Sequence, residues 1–269
     1  IEFLEAGAFD RALPRMARVL ELGGAIDFSA LSARTGQLNP QSRALLIDAL
    51  EPLIAQFPNN DSLLLARVQL LAQSGEFDAA LAALDAVREK VTPSTGIVLL
   101  ETQILQNMDR FDDALRVMRT GVKRFDTDPM LRASLARLLI ARQDFEGAVD
   151  EYATLIEQDP RNWEATYSKA LVHLELEQYP QTQALLQRLI DANERVDESR
   201  YYLGVSFEGQ QALERAIDNY RLVSIGTNNF LGAQQQATRL SIQLGDLDEA
   251  HDWLQRLSRG QPRLEVLFV

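Results

Sequence analysis

Apolar residues along this chain recur at spacings of three and four rather than two. Over Met130–Arg142 they fall at Leu131, Leu135, Leu138 and Leu139, which is one face of a helix. After a break at Gln143-Asp144 the pattern resumes at Ala148, Tyr152, Leu155 and Ile156. Asp144 stands where a carboxylate can accept from the free N–H groups of a helix start. Asp159-Pro160 ends the second segment, because proline cannot extend the backbone ladder. The stretch from Pro129 to Pro160 therefore predicts two antiparallel helices joined by a tight turn.

The same pattern returns along the chain. GEFDAAL begins at Gly75, DRFDDAL at Asp109, QDFEGAV at Gln143, EQYPQTQ at Glu177, QALERAI at Gln211 and GDLDEAH at Gly245. An aromatic or leucine residue falls at Phe77, Phe111, Phe145, Tyr179, Leu213 and Leu247, always 34 positions apart. Three places later come Ala80, Ala114, Ala148, Thr182, Ala216 and Ala250. A small residue there lets two helix axes approach closely, and the aromatic fills the gap at the turn against the next unit. Phe9, in GAFDRAL, lies two periods before Phe77. The intervening copy is altered: the helical stretch from Asn39 to Phe57 carries Arg43 at the aromatic position, and Gly36 and Leu38 suggest a shifted turn. One hairpin cannot bury both its faces, but stacked hairpins share a core built from neighbour contacts.

This hairpin, with Gly or Asp at the turn, the aromatic, the alanine three on and a late proline, resembles the tetratricopeptide repeat (TPR). The resemblance covers essentially the whole chain, and Leu203-Gly204 and Phe207 match the first-helix pattern of the family. It implies an all-α fold, a TPR-like right-handed α-solenoid of about eight antiparallel helix hairpins. The expected units are 1–24, 25–60, 61–94, 95–128, 129–162, 163–196, 197–230 and 231–262. Arg43, Thr182 and the altered second unit depart from the consensus, so looser joints are expected there.

The resemblance also implies a function. Such solenoids bind protein partners in a groove lined by first helices, and the register places Leu65, Gln69, Leu99, Gln103, Ala133, Arg137, Tyr167, Leu171, Tyr201, Val205, Gln235 and Arg239 on that lining. Tyrosine and arginine often carry binding energy, although tyrosine in a first helix also packs against its neighbour. The carboxylate clamp of chaperone-binding repeats is not expected, because Leu99, Gln103, Ala133, Ser134, Tyr167 and Leu171 supply no cluster of basic residues. The cysteine-free vocabulary rich in Leu, Ala, Gln, Arg and Asp is similar to bacterial cell-envelope TPR lipoproteins. That likeness implies an adaptor on the periplasmic face of the outer membrane, anchored by an N-terminal lipid. It would dock a carboxyl-terminal processing protease, promote its activity and deliver cell-wall hydrolases. The alternative is the TPR arm of a larger envelope assembly, such as a glycosyltransferase or polysaccharide-export machine.

Composition narrows the chemistry. The 269 residues carry 39 acids against 27 bases, a net charge of −12, which disfavours a phosphate-binding surface. The absence of cysteine removes disulfides, thiolate–zinc sites and cysteine nucleophiles. His173 occupies a core position of its first helix, and His251 an exposed one of its second. Asp112/Asp113 and Asp248/Glu249 stand at helix starts, where they complement the macrodipole. Asp126/Asp128 has no third ligand at metal spacing, and Gly23–Asp27 lacks the lysine and glycine spacing of a phosphate loop. Trp163 and Trp253 fall near unit ends as packing residues. No catalytic residue, cofactor or metal is expected. The chain begins at Ile1, so a piece of a longer protein is expected. LEVLF at Leu264–Phe268 is similar to a picornaviral 3C protease recognition sequence. Val269 is not the glutamine such a site needs, and Pro262 stands where a unit should close, so the stretch is expected to open a further repeat.

Overall fold

A computed structural model describes residues 9–22 and 40–260. Among them are fourteen helices and no strand. They are α1 (Phe9–Glu21), α2 (Pro40–Gln56), α3 (Asp61–Gln73), α4 (Phe77–Val87), α5 (Thr95–Asn107), α6 (Phe111–Arg124), α7 (Pro129–Ala141), α8 (Phe145–Gln158), α9 (Trp163–Glu175), α10 (Tyr179–Asp191), α11 (Val196–Gly209), α12 (Leu213–Arg221), α13 (Phe230–Leu244) and α14 (Leu247–Gly260). Every repeated aromatic or leucine, from Phe9 and Phe77 to Leu247, is the first residue of a helix. The expected start of a further repeat after Pro262 and the segments at Gly23–Asp27 and Gly36–Leu38 lie outside the described residues.

The described residues fall into two compact units, one ending at Leu131 and one beginning at Arg132. Within each, helices pack mainly on their neighbours in sequence, as a stack of hairpins requires. The repeated small residue sits at the hairpin crossing: Ala80, Ala114, Ala148, Thr182 and Ala216 are fully buried and Ala250 nearly so. Thr182 adds no loose joint. Its hydroxyl is buried and donates to the Gln178 carbonyl at 3.2 Å, so the extra polar atom is satisfied. In α2, Leu46 takes the alanine position and is also fully buried. Arg43, in place of the aromatic, reaches the Gln73 carbonyl.

A backbone device repeats with the sequence. Gly75, Asp109, Gln143, Glu177, Gln211 and Gly245 all have positive φ, between 55° and 88°. They stand 34 apart, one in each turn between the two helices of a hairpin. Side chains other than glycine are strained in this region, yet four of the six turns carry one. The following turn of backbone bonds closes each hairpin, as where Asp144 N donates to Leu139 O at 2.9 Å. First helices are capped in register too. Asn60, Asp128 and Asn162 accept from backbone N–H groups of α3, α7 and α9 at 2.9–3.0 Å. Asp144 caps α8 through Gly147 N at 3.1 Å.

Two second helices stop early. α4 has 11 residues and α12 has 9, against 14 in α6 and α8. The linkers that follow are strapped alike. Thr92 N donates to Asp61 Oδ2 at 2.8 Å, and Ser224 N to Asp197 Oδ1 at 2.6 Å. Each linker also buries one valine, Val91 and Val223.

Candidate partner-binding surface

In the first unit, α3 and α5 lie as consecutive first helices and bring Leu65, Gln69, Leu99 and Gln103 to one cleft of ≈ 350 Å³. Ser94, Gly96, Ile97 and Leu100 complete it. The leucines are half-buried and offer apolar contact, while Gln103 is exposed. Neither Gln69 nor Gln103 has a hydrogen-bond partner among the described residues. A carboxamide can donate and accept at once, so the pair suits the N–H and C=O groups of an extended or helical peptide. Ser94, Gly96 and Ile97 were not singled out by sequence. They come from the linker and first turn of α5, which a register built on helix positions leaves out.

The second unit presents a different set. Ala133 and Arg137 lie on α7, and Arg137 is exposed, donating to Ser134 Oγ at 3.1 Å. Tyr167 and Leu171 on α9 and Tyr201 and Val205 on α11 are half-buried. The two tyrosines belong to a chain of rings. Tyr167 meets Tyr202 edge-on at 6.0 Å, Tyr202 meets Tyr201 at 5.2 Å, and Tyr201 meets Tyr220 at 5.7 Å. Arg195 covers Tyr167 at 4.6 Å in a cation–π contact. Burial pushes the Tyr167 and Tyr220 phenols well above their usual range, and for Tyr220 the neighbouring Glu208 charge adds to it. Tyr220 donates to Glu208 Oε2 at 3.1 Å, and Glu208 also pairs with Arg239. Arg239 and Gln235 line a further cleft of ≈ 300 Å³ with Thr238, Ile242 and Leu254. Tyr167, Tyr201 and Arg239 thus each serve the packing of the unit as well as its surface.

The histidines and tryptophans make local contacts. His173 is buried, with Nδ1 at 2.6 Å from Gln178 Oε1 across the hairpin turn. His251 is exposed and meets Gln255. Trp253 donates to Gln234 Oε1 at 2.9 Å and lies under Arg221, while Arg188 covers Trp163. Arg221 hydrogen-bonds Glu249 and holds its carboxyl below the usual range. Among the described residues, no cluster of His, Asp or Glu could hold a metal ion, and no helix is long and apolar enough to cross a membrane.

The tetratricopeptide repeat family profile matches residues 47–94, 99–162, 133–181 and 167–226. The chain belongs to the tetratricopeptide repeat family. Members of this family act as protein-interaction scaffolds. A TPR repeat-containing protein of Pseudomonas aeruginosa is 33% identical over 265 residues, 97% of this chain and 44% of that protein. The cellulose synthase operon protein C of Pseudomonas fluorescens is 24% identical over 81% of this chain and 17% of its own length. The chain therefore spans less than half of either relative. Among solved structures, a TPR protein of Parabacteroides merdae superposes with a TM-score of 0.57 at 15% identity, covering 72% of this chain and 77% of that one. MamA of Desulfovibrio magneticus superposes at 0.52 and 19% identity, covering 62% and 96%. These two likenesses concern the fold.

Proposed function

We propose that this TPR chain is the protein-binding part of an envelope adaptor similar to the Pseudomonas lipoprotein LbcA. In that role it docks a periplasmic carboxyl-terminal processing protease and promotes degradation of cell-wall hydrolases. The observation that carries a binding role is the cleft between α3 and α5, where two leucines and two unpartnered glutamine amides converge. That combination suits a peptide or a partner helix. Within the second unit, the half-buried rings of Tyr167 and Tyr201 and the exposed Arg137 offer contact groups of their own. The protease and the lipid-anchored periplasmic location rest on the likeness to envelope lipoproteins that the residue vocabulary suggests, and the 33% identical Pseudomonas relative supports the TPR part of the reading alone.

The test is a binding titration of the purified chain against the protease. We expect saturable binding, lowered at least about tenfold by Leu99→Asp combined with Gln103→Ala, with helicity unchanged. A tenfold loss corresponds to about 1.4 kcal/mol. No binding would overturn the adaptor reading. Full binding by the double variant would overturn the role of the cleft.

A second reading has its own support. The relative from a cellulose synthase operon favours a TPR arm within a polysaccharide-export assembly. Crosslinking in envelope extracts that recovers synthase or export subunits, and no protease, would select it.

A further inference from the structure

We propose that the cleft beside the shortened α4 is a second binding site, for a partner segment bearing one large aliphatic side chain next to a carboxylate. The site adjoins the surface assigned above, sharing Ser94 and Ile97 with it, and does not depend on the protease reading. α6 runs on to Arg124, whereas α4 stops at Val87, about one turn short of the matching position. After Val87 the helix gives way to a turn over 88–90, and the linker then buries Val91 and is tied down at Thr92. A cleft of ≈ 290 Å³ lies beside this linker, with Arg88, Val91, Pro93 and Ser94 along one side. Ile97 and Val98 from α5 and Val117 from α6 form its apolar walls. Gly121 keeps the walls close: a Cβ there would come within 2.5 Å of Val98 Cγ1.

The rim is basic in an acidic protein. Arg88, Arg116 and Arg124 line it, against the single acid Glu101. Glu101 accepts from Arg88 at 2.6 Å, and Arg116 is held by Asp113. Arg124 lies over the Phe125 ring at 5.6 Å and has no carboxylate partner among the described residues. From Ala114 to Arg124 the helix carries four bases and no acid. Part of that basicity answers the negative end of the α6 dipole. It leaves one cation at the mouth of an apolar cleft, and the complementary ligand offers an apolar group and a negative charge together. The cleft suits a single large side chain with its backbone and is too small to admit a helix.

The experiment is a methyl-resolved NMR titration of the whole chain with the capped peptide Gly-Ser-Asp-Leu-Glu-Ser-Gly. Val98 and Val117 are the reporters, since Ile97 and Ser94 also border the neighbouring cleft. The peptide should shift both at millimolar concentration. The Asn-Leu-Gln version should bind about three- to fivefold more weakly, as expected for an exposed charge pair. Arg124→Gln should remove the difference between the two peptides. Thr120→Trp, from an exposed position on α6, should block the shifts while leaving Leu65 and Leu99 unchanged. Reporters that stay still, equal binding of the two peptides, or a difference that survives Arg124→Gln would each overturn the proposal. Shifts that grow with protein concentration alone would also overturn it, by assigning the cleft to a second copy of the chain.

Discussion

The unit ending at Leu131 and the unit beginning at Arg132 share one hairpin plan but fill it with different matter. The core of the first is aliphatic, dominated by leucine from Leu46 to Leu84. All six tyrosines and both tryptophans fall after Arg132, and four of the tyrosines form one ring chain across α9, α11 and α12. Aliphatic packing constrains volume and little else, so many sequences satisfy it. A chain of rings with hydroxyls fixes orientation as well, because each phenol needs a partner. The plan is thus set by spacing and turn geometry, while surface character is left to vary between units.

The sharpest way to break that comparison is to exchange the residues at the hairpin crossing. Leu46→Ala in the first unit should leave a cavity and cost about 2–5 kcal/mol. Ala148→Leu in the second should overpack and cost about 1–3 kcal/mol. Chemical denaturation of both variants measures the pair, and an unchanged midpoint for either would contradict the register described.

Glycine gives the next contrast. A Cβ on Gly204 would lie 2.5 Å from Tyr220 Cε1, and one on Gly121 2.5 Å from Val98 Cγ1. The ring is buried and hydrogen-bonded, whereas Val98 is half-buried and can change rotamer. Gly204→Ala should cost about 1–3 kcal/mol, and Gly121→Ala less. Equal losses would mean that the ring chain is no more rigid than the aliphatic core.

Tyr220→Phe removes one hydrogen bond and should cost about 1 kcal/mol near neutral pH, since Glu208 keeps its pairing with Arg239. Its pH profile is more telling. The folded phenol holds its proton more tightly than the unfolded one. Its contribution is therefore complete below the usual phenol range near about pH 10 and is lost as pH rises above it. Thermal melts from pH 8 to 11 should show a shallower alkaline decline in the variant. A parallel decline would place the sensitivity elsewhere.

The smallest effect tests what the units share. Asp109→Gly and Glu177→Gly relieve a left-handed residue in one turn of each unit. The strain relieved outweighs the added chain entropy, so each should gain about 0.5–1 kcal/mol. Similar gains in both would show that the turn is independent of core type.

The plan was legible in the sequence because turn and crossing impose residue types. Phe77, Phe111, Phe145, Tyr179, Leu213 and Leu247 mark helix starts to the residue, and Asp144 caps as its position implies. The surface was less legible. The register groups Leu65, Gln69, Leu99 and Gln103, and the four line one cleft. It could not show that Tyr201 is engaged by Tyr202 and Tyr220, since ring contacts depend on rotamers and helix crossing rather than spacing. Nor did it reveal that α4 and α12 end early. Pro93 and Gly226 were the available signals, but both stood where a linker was already expected.

The predominance of packing between near neighbours in sequence also sets how the described stack would yield under load. With no long-range strand pairing among the described residues, no junction shields another, and tension is borne by one hairpin interface at a time. A chain drawn out from its ends would surrender length in steps of a single repeat and recover it quickly, because each repeat closes on local contacts. Any partner that straddles two hairpins would act as a clasp on this spring, and its grip would be readable as a missing step.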